Sequence, residues 1–261
     1  MHSDDALDVI TLEHVSKRYY LRAQRPQDLK TAVLHLPSFL RSDRSRRPFW
    51  ALDDVSLNIR RGESLGVIGP NGSGKSTLLR IIADLARPTR GEVRVQGRIS
   101  ALLELGAGFH PQITGRENAI LNAVLLGLSR KEAAERLPEI IAFSELGDFI
   151  DQPMRTYSSG MYIRLGFSVA VHVHADVLLV DEVLAVGDAE FQQKCFDHIE
   201  KLRAKGVTIV LVSHDLGSVT RFCERAILLH HGQVQVEGKS QPVVHEYLSR
   251  IAAVLGHAVS S

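Results

Sequence analysis

The chain has 261 residues, of which 44% are hydrophobic and 23% charged, and its formal net charge is +1. That composition predicts an ordinary soluble globular protein. It excludes a membrane-spanning chain, because no uninterrupted apolar run reaches the roughly 18 to 20 residues of a span. The acidic start MHSDDALD lacks the apolar region of a secretory signal. Two distant cysteines, Cys195 and Cys223, read as reduced thiols rather than a disulfide or metal site.

VITLEHVSKRYY alternates apolar residues at strand spacing. A basic stretch follows. From Lys17 to Arg47 nine Lys or Arg face only Asp28 and Asp43, a local +7 that leaves about −6 for the rest. It reads either as a solvated loop or as a contact for anionic lipid headgroups or an acidic partner. Within it, Leu29, Val33, Leu36 and Leu40 recur at helical spacing, although Pro37 interrupts any single helix.

ALDDVSLNI resumes as a strand, RRGE turns, and SLGVIG is a short buried strand. KSTLLRIIADLA is an amphipathic helix stopped before Pro88. GEVRVQGRISALLEL suggests short strands around Gly97. From about Arg116 to Asp148 the pattern is helical, with a capping box at Ser129 and Glu132. MYIRLGFSVAVHV is a helix, His172 and His174 being part of it. VLLVDE is a strand buried on both faces. A helix from about Glu190 to Lys205, the strand VTIVLVSH, a helix to Cys223 and a hairpin around His231-Gly232 complete the chain. Strand–helix alternation argues for an α/β core with an inserted helical subdomain.

Three segments carry chemistry. Gly69-Pro70-Asn71-Gly72-Ser73-Gly74-Lys75-Ser76, followed by Thr77, fits G-x-x-x-x-G-K-[ST] between an apolar strand and a helix. Glycines let successive N–H groups point at phosphate oxygens, and the helix N-terminus adds favourable potential. Lys75 is placed to reach the β- and γ-phosphates of a nucleotide such as ATP, and Ser76 to ligate Mg²⁺. Asp181 and Glu182 end an apolar strand. Asp181 suits a Mg²⁺ ligand, and Glu182 a residue that orients or deprotonates an attacking water. His214 ends another apolar strand and is read as a contact for the γ-phosphate or its water. His230 and His231 lack ligand-type partners at metal spacing and read as structural.

Cradle, helical insert, Tyr157-Ser158-Ser159-Gly160-Met161, the Asp-Glu strand and the Ser-His strand occur in the order that resembles the nucleotide-binding subunit of ABC transporters, over roughly Val9 to Glu237. The resemblance implies an α/β, P-loop NTPase (RecA-like) core of ABC ATPase type, with an antiparallel β subdomain and an inserted α-helical subdomain. It implies one nucleotide-binding domain over 1–245, with a basic insert at 21–49, a helical subdomain at 105–165 and a C-terminal tail at 246–261.

It also implies a head-to-tail pair. Ser158, Ser159 and Gly160 of one copy, a form of the LSGGQ signature, would close over ATP held by the other copy's cradle. Tyr19 matches the aromatic that stacks on adenine, with Tyr20 as fallback. Asp188 matches the acid of the loop that crosses the dimer interface. Glu104 stands nearest the usual glutamine at the metal.

LLELGAGFHPQITGREN, TYSSGMYIRLGFSVA and LLVDEVLAVGDAEFQQKC resemble a narrower group, the ATPases that export O-antigen, capsule and teichoic acid. Some of these carry a further carbohydrate-binding domain, for which this chain has no room. The resemblance implies ATP and Mg²⁺ as cofactors. It implies a transmembrane permease and a second copy as partners, a lipid-linked glycan as cargo, and a place at the cytoplasmic face of the membrane. The alternatives are an importer ATPase, or a soluble ABC ATPase acting on nucleic acid or ribosomes. The latter usually needs coiled coils or two cassettes in one chain.

Overall fold

The computed structural model describes residues 8–20, 48–103, 106, 108–181 and 188–259. Most of the basic insert, with its helically spaced leucines, lies outside them, as do Glu104 and Glu182.

Two sheets form the body. β1 (Asp8–Tyr20) pairs antiparallel with both β2 (Pro48–Arg60) and β4 (Arg90–Val95), giving the order β2-β1-β4. The second sheet has the order β5-β6-β7-β3-β8-β9: β5 (Ile99–Leu102), β6 (Val177–Asp181), β7 (Thr208–Val212), β3 (Ser64–Ile68), β8 (Arg225–His230) and β9 (Gln233–Lys239). Every neighbour pair in it is parallel except β8 with β9, the hairpin expected at His231-Gly232. β3 and β7 are buried along their whole length, as apolar runs covered on both faces must be.

Seven α-helices lie among the described residues: α1 (Lys75–Ile82), α2 (Gly115–Leu125), α3 (Arg130–Ser144), α4 (Ser159–His172), α5 (Ala189–Ala204), α6 (Leu216–Phe222) and α7 (Ser240–Val259). One core joins the small sheet, α1 and one face of the large sheet through Leu12, Leu52, Leu79 and Val210. A second covers the opposite face with Phe167, Phe191, Val219 and Val244. A third holds the helical region together through Ala119, Ile140, Leu165 and Val169. None of the described helices is long and apolar enough to cross a membrane.

The capping box at Ser129 and Glu132 is present at the start of α3. A second, Thr114 with Glu117, starts α2. Two local expectations are corrected. α1 stops at Ile82 rather than continuing to Ala86, because Asp84 turns into the left-handed region at φ 56. His174 lies beyond α4, whose backbone becomes extended at Val173. Short strands lie on both sides of Gly97, as expected; they join different sheets, and Asp176 Oδ2 accepts the Arg98 N–H at 2.8 Å where they part. The helix α7 runs continuously through residues 245 and 246. Cys195 and Cys223 are both free and buried, and burial pushes each thiol up to about 12.

Candidate functional site

The turn between β3 and α1 is built around backbone positions that only glycine tolerates. At Gly69, φ is +147, and a Cβ there would overlap the Leu229 carbonyl oxygen. At Gly74, φ is +110, and a Cβ would overlap the Ala51 carbonyl oxygen. The loop is therefore pressed between β2 and the end of β8. The hairpin turn clamps it from outside: Gly232 N–H donates to the Ser73 carbonyl at 2.9 Å, and Asp53 N–H donates to the Gly232 carbonyl at 2.9 Å.

This cradle is electrostatically prepared for an anion. Gly74 caps α1 with no side-chain hydrogen bond, and the first turn holds no acid. Its N–H dipoles and a buried Lys75 face the same loop. Lys75 Nζ donates to the carbonyls of Gly69 at 2.8 Å and Pro70 at 3.0 Å. Ser73 Oγ is buried with no hydrogen-bond partner among the described residues, and a donor hydroxyl left so suits an oxyanion ligand. Asn71, Gly72 and Ser76 are exposed, and Pro70 and Thr77 half-buried.

The parallel sheet brings distant residues to this edge. Asp181 is level with Val212 on β7, and Val212 with Val67 on β3, so β6 ends two strands from the cradle, about 10 Å away. His214 follows β7 by two residues and is exposed. Its loop is shaped by Asp215, which caps α6 by accepting from Gly217 N–H at 3.0 Å and from the Ser218 hydroxyl at 2.5 Å. Ser76 and Asp181 offer hard oxygen donors, the set that suits Mg²⁺ rather than a soft metal.

A family model described as ABC transporter matches residues 52–185. The chain is 44% identical over 244 residues to the O-antigen export system ATP-binding protein RfbB of Klebsiella pneumoniae, covering 94% of this chain and 99% of that protein. It is 46% identical over 250 residues to the protein of the same name from Myxococcus xanthus, covering 95% of this chain but 57% of that protein.

The chain belongs to the ABC transporter family.

As a member of that family it is an ATPase. Among solved structures, the dimeric post-hydrolysis state of the ATP-binding cassette MJ0796 bound to ADP and Pi resembles it, with a TM-score of 0.68 and 27% identity over 88% of this chain and 98% of that one. The core predicted from the sequence, α/β with an antiparallel sheet and a helical region, is the architecture of these cassettes.

The Tyr157–Met161 segment lies at the start of α4. Ser158 caps that helix, its Oγ accepting from Met161 N–H at 3.3 Å. The hydroxyl hydrogen remains available to donate outward. Ser158 and Ser159 are exposed, Gly160 is half-buried, and the first turn again holds no acid. Ahead of it, the Tyr157 hydroxyl donates to the Phe149 carbonyl.

Asp188 caps α5 by accepting from Phe191 N–H at 2.9 Å, and Arg164 Nη2 donates to its other oxygen at 2.5 Å. The capping hydrogen bond and the neighbouring guanidinium hold this carboxyl below the usual range. Tyr19 is exposed at the end of β1, with the Lys17 ammonium 5.2 Å from its ring centre. Tyr20 is exposed too, but Arg18 lies over its ring and over Trp50.

Sequence reading passed over Gly232 and Arg164. Gly232 was legible only as a hairpin turn. Arg164 carried no local signal, because its partners come from other helices.

Proposed function

We propose that this chain is the ATP-hydrolysing subunit of an exporter that moves a lipid-linked polysaccharide or polyol across the cytoplasmic membrane. The observation that carries this reading is the 44% identity to the Klebsiella RfbB protein over 99% of that protein's length. The chain works at the cytoplasmic face, with a transmembrane permease and a second copy of itself. Nucleic acid is not a partner in this reading.

The site residues take their roles accordingly. Tyr19 stacks on adenine. The Gly69–Thr77 cradle and Lys75 bind the phosphates. Ser76 and Asp181 would hold Mg²⁺, with Glu104 the nearest further donor in sequence, and the ion would supply positive charge against the phosphates. Glu182 orients the attacking water and takes its proton, and His214 contacts the γ-phosphate. Ser158, Ser159 and Gly160 grip the γ-phosphate held by the second copy, through a hydroxyl and a helix N-terminus. Asp188 lies at the dimer interface.

The test uses a tagged Glu182→Gln protein purified with ATP from detergent-solubilised native membranes, its companions identified by mass spectrometry. A polytopic membrane protein with a lipid-linked glycan is the expected result. Recovery with nucleic acid or ribosomes alone overturns the transport reading. Recovery with a substrate-binding protein reverses its direction.

A further inference from the structure

One end of the small sheet carries a cluster of cations and rings that the nucleotide site does not use. Arg18 of β1 stands opposite Trp50 of β2, Tyr20 opposite Pro48, and Ser16 opposite Arg90 of β4. Cross-strand partners share a face of the sheet, and so do alternate residues along a strand. Arg18, Tyr20, Trp50 and Arg90 therefore lie on one face, and Tyr19 with Phe49 on the other.

The Arg18 guanidinium lies 5.0 Å from the Tyr20 ring centre and 5.4 Å from that of Trp50. The Arg90 guanidinium lies 5.2 Å from the Trp50 ring centre. Tyr20 and Arg90 are exposed, and Arg18 and Trp50 half-buried. Backbone bonds fix the cluster: Arg18 N–H donates to the Thr89 hydroxyl at 3.0 Å, and Thr89 N–H to the Ser16 carbonyl at 2.7 Å.

The charge at this corner has one sign. Among the described residues neither Arg18 nor Arg90 pairs with a carboxylate, and Arg18 Nε is buried with no hydrogen-bond partner. Arg87 is exposed beside them, its carbonyl accepting from Lys17 Nζ at 2.6 Å. Acids farther along the same strands are already engaged: Glu13 and Glu92 by Arg94, Asp54 by His14 and Asp53 by Gln233. The sequence between Tyr20 and Pro48, whose two ends meet here, adds seven Lys or Arg against two Asp.

Stacking on a ring fixes the plane of a guanidinium and leaves its edge for in-plane acceptors, which phosphodiester oxygens suit. Trp and Tyr are the rings that settle at the headgroup level of a bilayer, and basic side chains are drawn to an anionic leaflet. We propose that Arg18, Arg90, Trp50 and Tyr20 form a docking surface for the anionic phospholipid headgroups of the membrane. This inference rests on the reading of the chain as a subunit that works at the cytoplasmic face. The two rings enter the headgroup layer, and the two guanidiniums take phosphate oxygens. Tyr19 stays on the opposite face of β1, so lipid and ATP bind together.

Trp50 is the one tryptophan in the chain, so tryptophan fluorescence reads this corner alone. The full chain is titrated with vesicles of phosphatidylcholine, with vesicles that also contain phosphatidylglycerol, and with inorganic phosphate. With the anionic vesicles alone, emission should move to shorter wavelength and be quenched by brominated acyl chains, and the effect should fade as salt rises. Arg18→Gln/Arg90→Gln should weaken vesicle binding about tenfold or more. Its melting temperature should still rise with ATP, which shows an intact fold. If that variant does not fold, Arg90→Gln and Tyr20→Ser, both at exposed positions, carry the test, each with a loss of about threefold or more.

Unmoved emission, or unchanged vesicle affinity in the variants, overturns the inference. So does sedimentation with vesicles without any change at Trp50, which puts the lipid contact elsewhere on the chain. An equal response to inorganic phosphate makes this a free-phosphate site and overturns it too. Variants that bind vesicles normally but lose a membrane protein on purification from native membranes assign the face to a protein instead. Recovery of a membrane subunit beside an unresponsive Trp50 removes this inference alone. A responsive Trp50 in a chain that recovers no membrane subunit removes the exporter reading and keeps the lipid surface.

Discussion

The Tyr157 hydroxyl donates to the Phe149 carbonyl at 2.7 Å, and so ties the residue before the Ser158 cap of α4 to the short 3-10 turn at Gly147–Asp151. Burial, helped by the Asp151 carboxylate, pushes the phenol up to about 12, so it stays a donor at any physiological pH. Gly115 makes room for it: a Cβ there would overlap the Tyr157 oxygen. Tyr157→Phe should cost about 1 kcal/mol, a fall of roughly 2–4 °C in Tm for a chain this size. Gly115→Ala should cost more, because it evicts the whole ring. Thermal melts of the two variants check this, and equal small losses would contradict it.

Lys75 spends its charge on the carbonyls of Gly69 and Pro70. Phosphate oxygens offer stronger, charge-assisted bonds, each worth about 1.5–3 kcal/mol. Lys75→Ala should therefore weaken ATP binding at least tenfold. The upward shift of its melting temperature on adding ATP should disappear. Titration calorimetry and melts with and without ATP decide it. A preserved ATP shift would remove Lys75 from the phosphate site.

Two cradle glycines should respond differently. Both have positive φ, but a Cβ at Gly69 meets the Leu229 carbonyl, whereas one at Gly72 meets nothing within 4 Å. Gly72→Ala should cost only the backbone strain, about 1–2 kcal/mol. Gly69→Ala should cost clearly more, because backbone of β8 has to move. Denaturant unfolding of the two proteins gives the comparison, and equal losses would refute the packing argument.

His172 and His198 face each other with ring centres 5.0 Å apart, and Phe143 packs edge-on against both. Burial holds each imidazole below its ordinary 6.5, more than offsetting the Ser168 and Val171 carbonyls that favour the charged forms. Glu139 also favours the His172 cation, while Arg136 and Lys194 oppose it; Lys201 and Lys205 oppose that of His198. The unfolded chain therefore binds protons first as pH falls. The stability these groups contribute is present above about pH 6.5 and is lost as pH drops through the lowered folded values. Melting temperature should fall between pH 7.5 and 5, and less steeply in His172→Phe. An unchanged slope in that variant would clear the pair of the effect.

Much of this was legible along the chain. Strand and helix periods, the cradle motif and the Ser129 capping box are local statements about neighbouring residues, and the structure keeps them. The apolar run of β6 announced a strand covered on both faces, because only such strands can dispense with polar positions. Where the chain turned on one residue's φ, as at Asp84, periodicity overran the end of α1.

The sequence by itself determined which segments could bind phosphate and which residues could act as acid, base or metal ligand, since those properties belong to residue type and short spacing. Only the tertiary structure decided their company. The order β6-β7-β3 carries Asp181 and His214 to the edge where the cradle opens. The long return of β8 and β9 sets Gly232 against Ser73, and the packing of α3, α4 and α5 closes Arg164 on Asp188 and Glu145. These pairings depend on how crossovers stack across a twisted parallel sheet and on which helices share a core. Such long-range closure leaves no mark on the spacing of the residues that it joins.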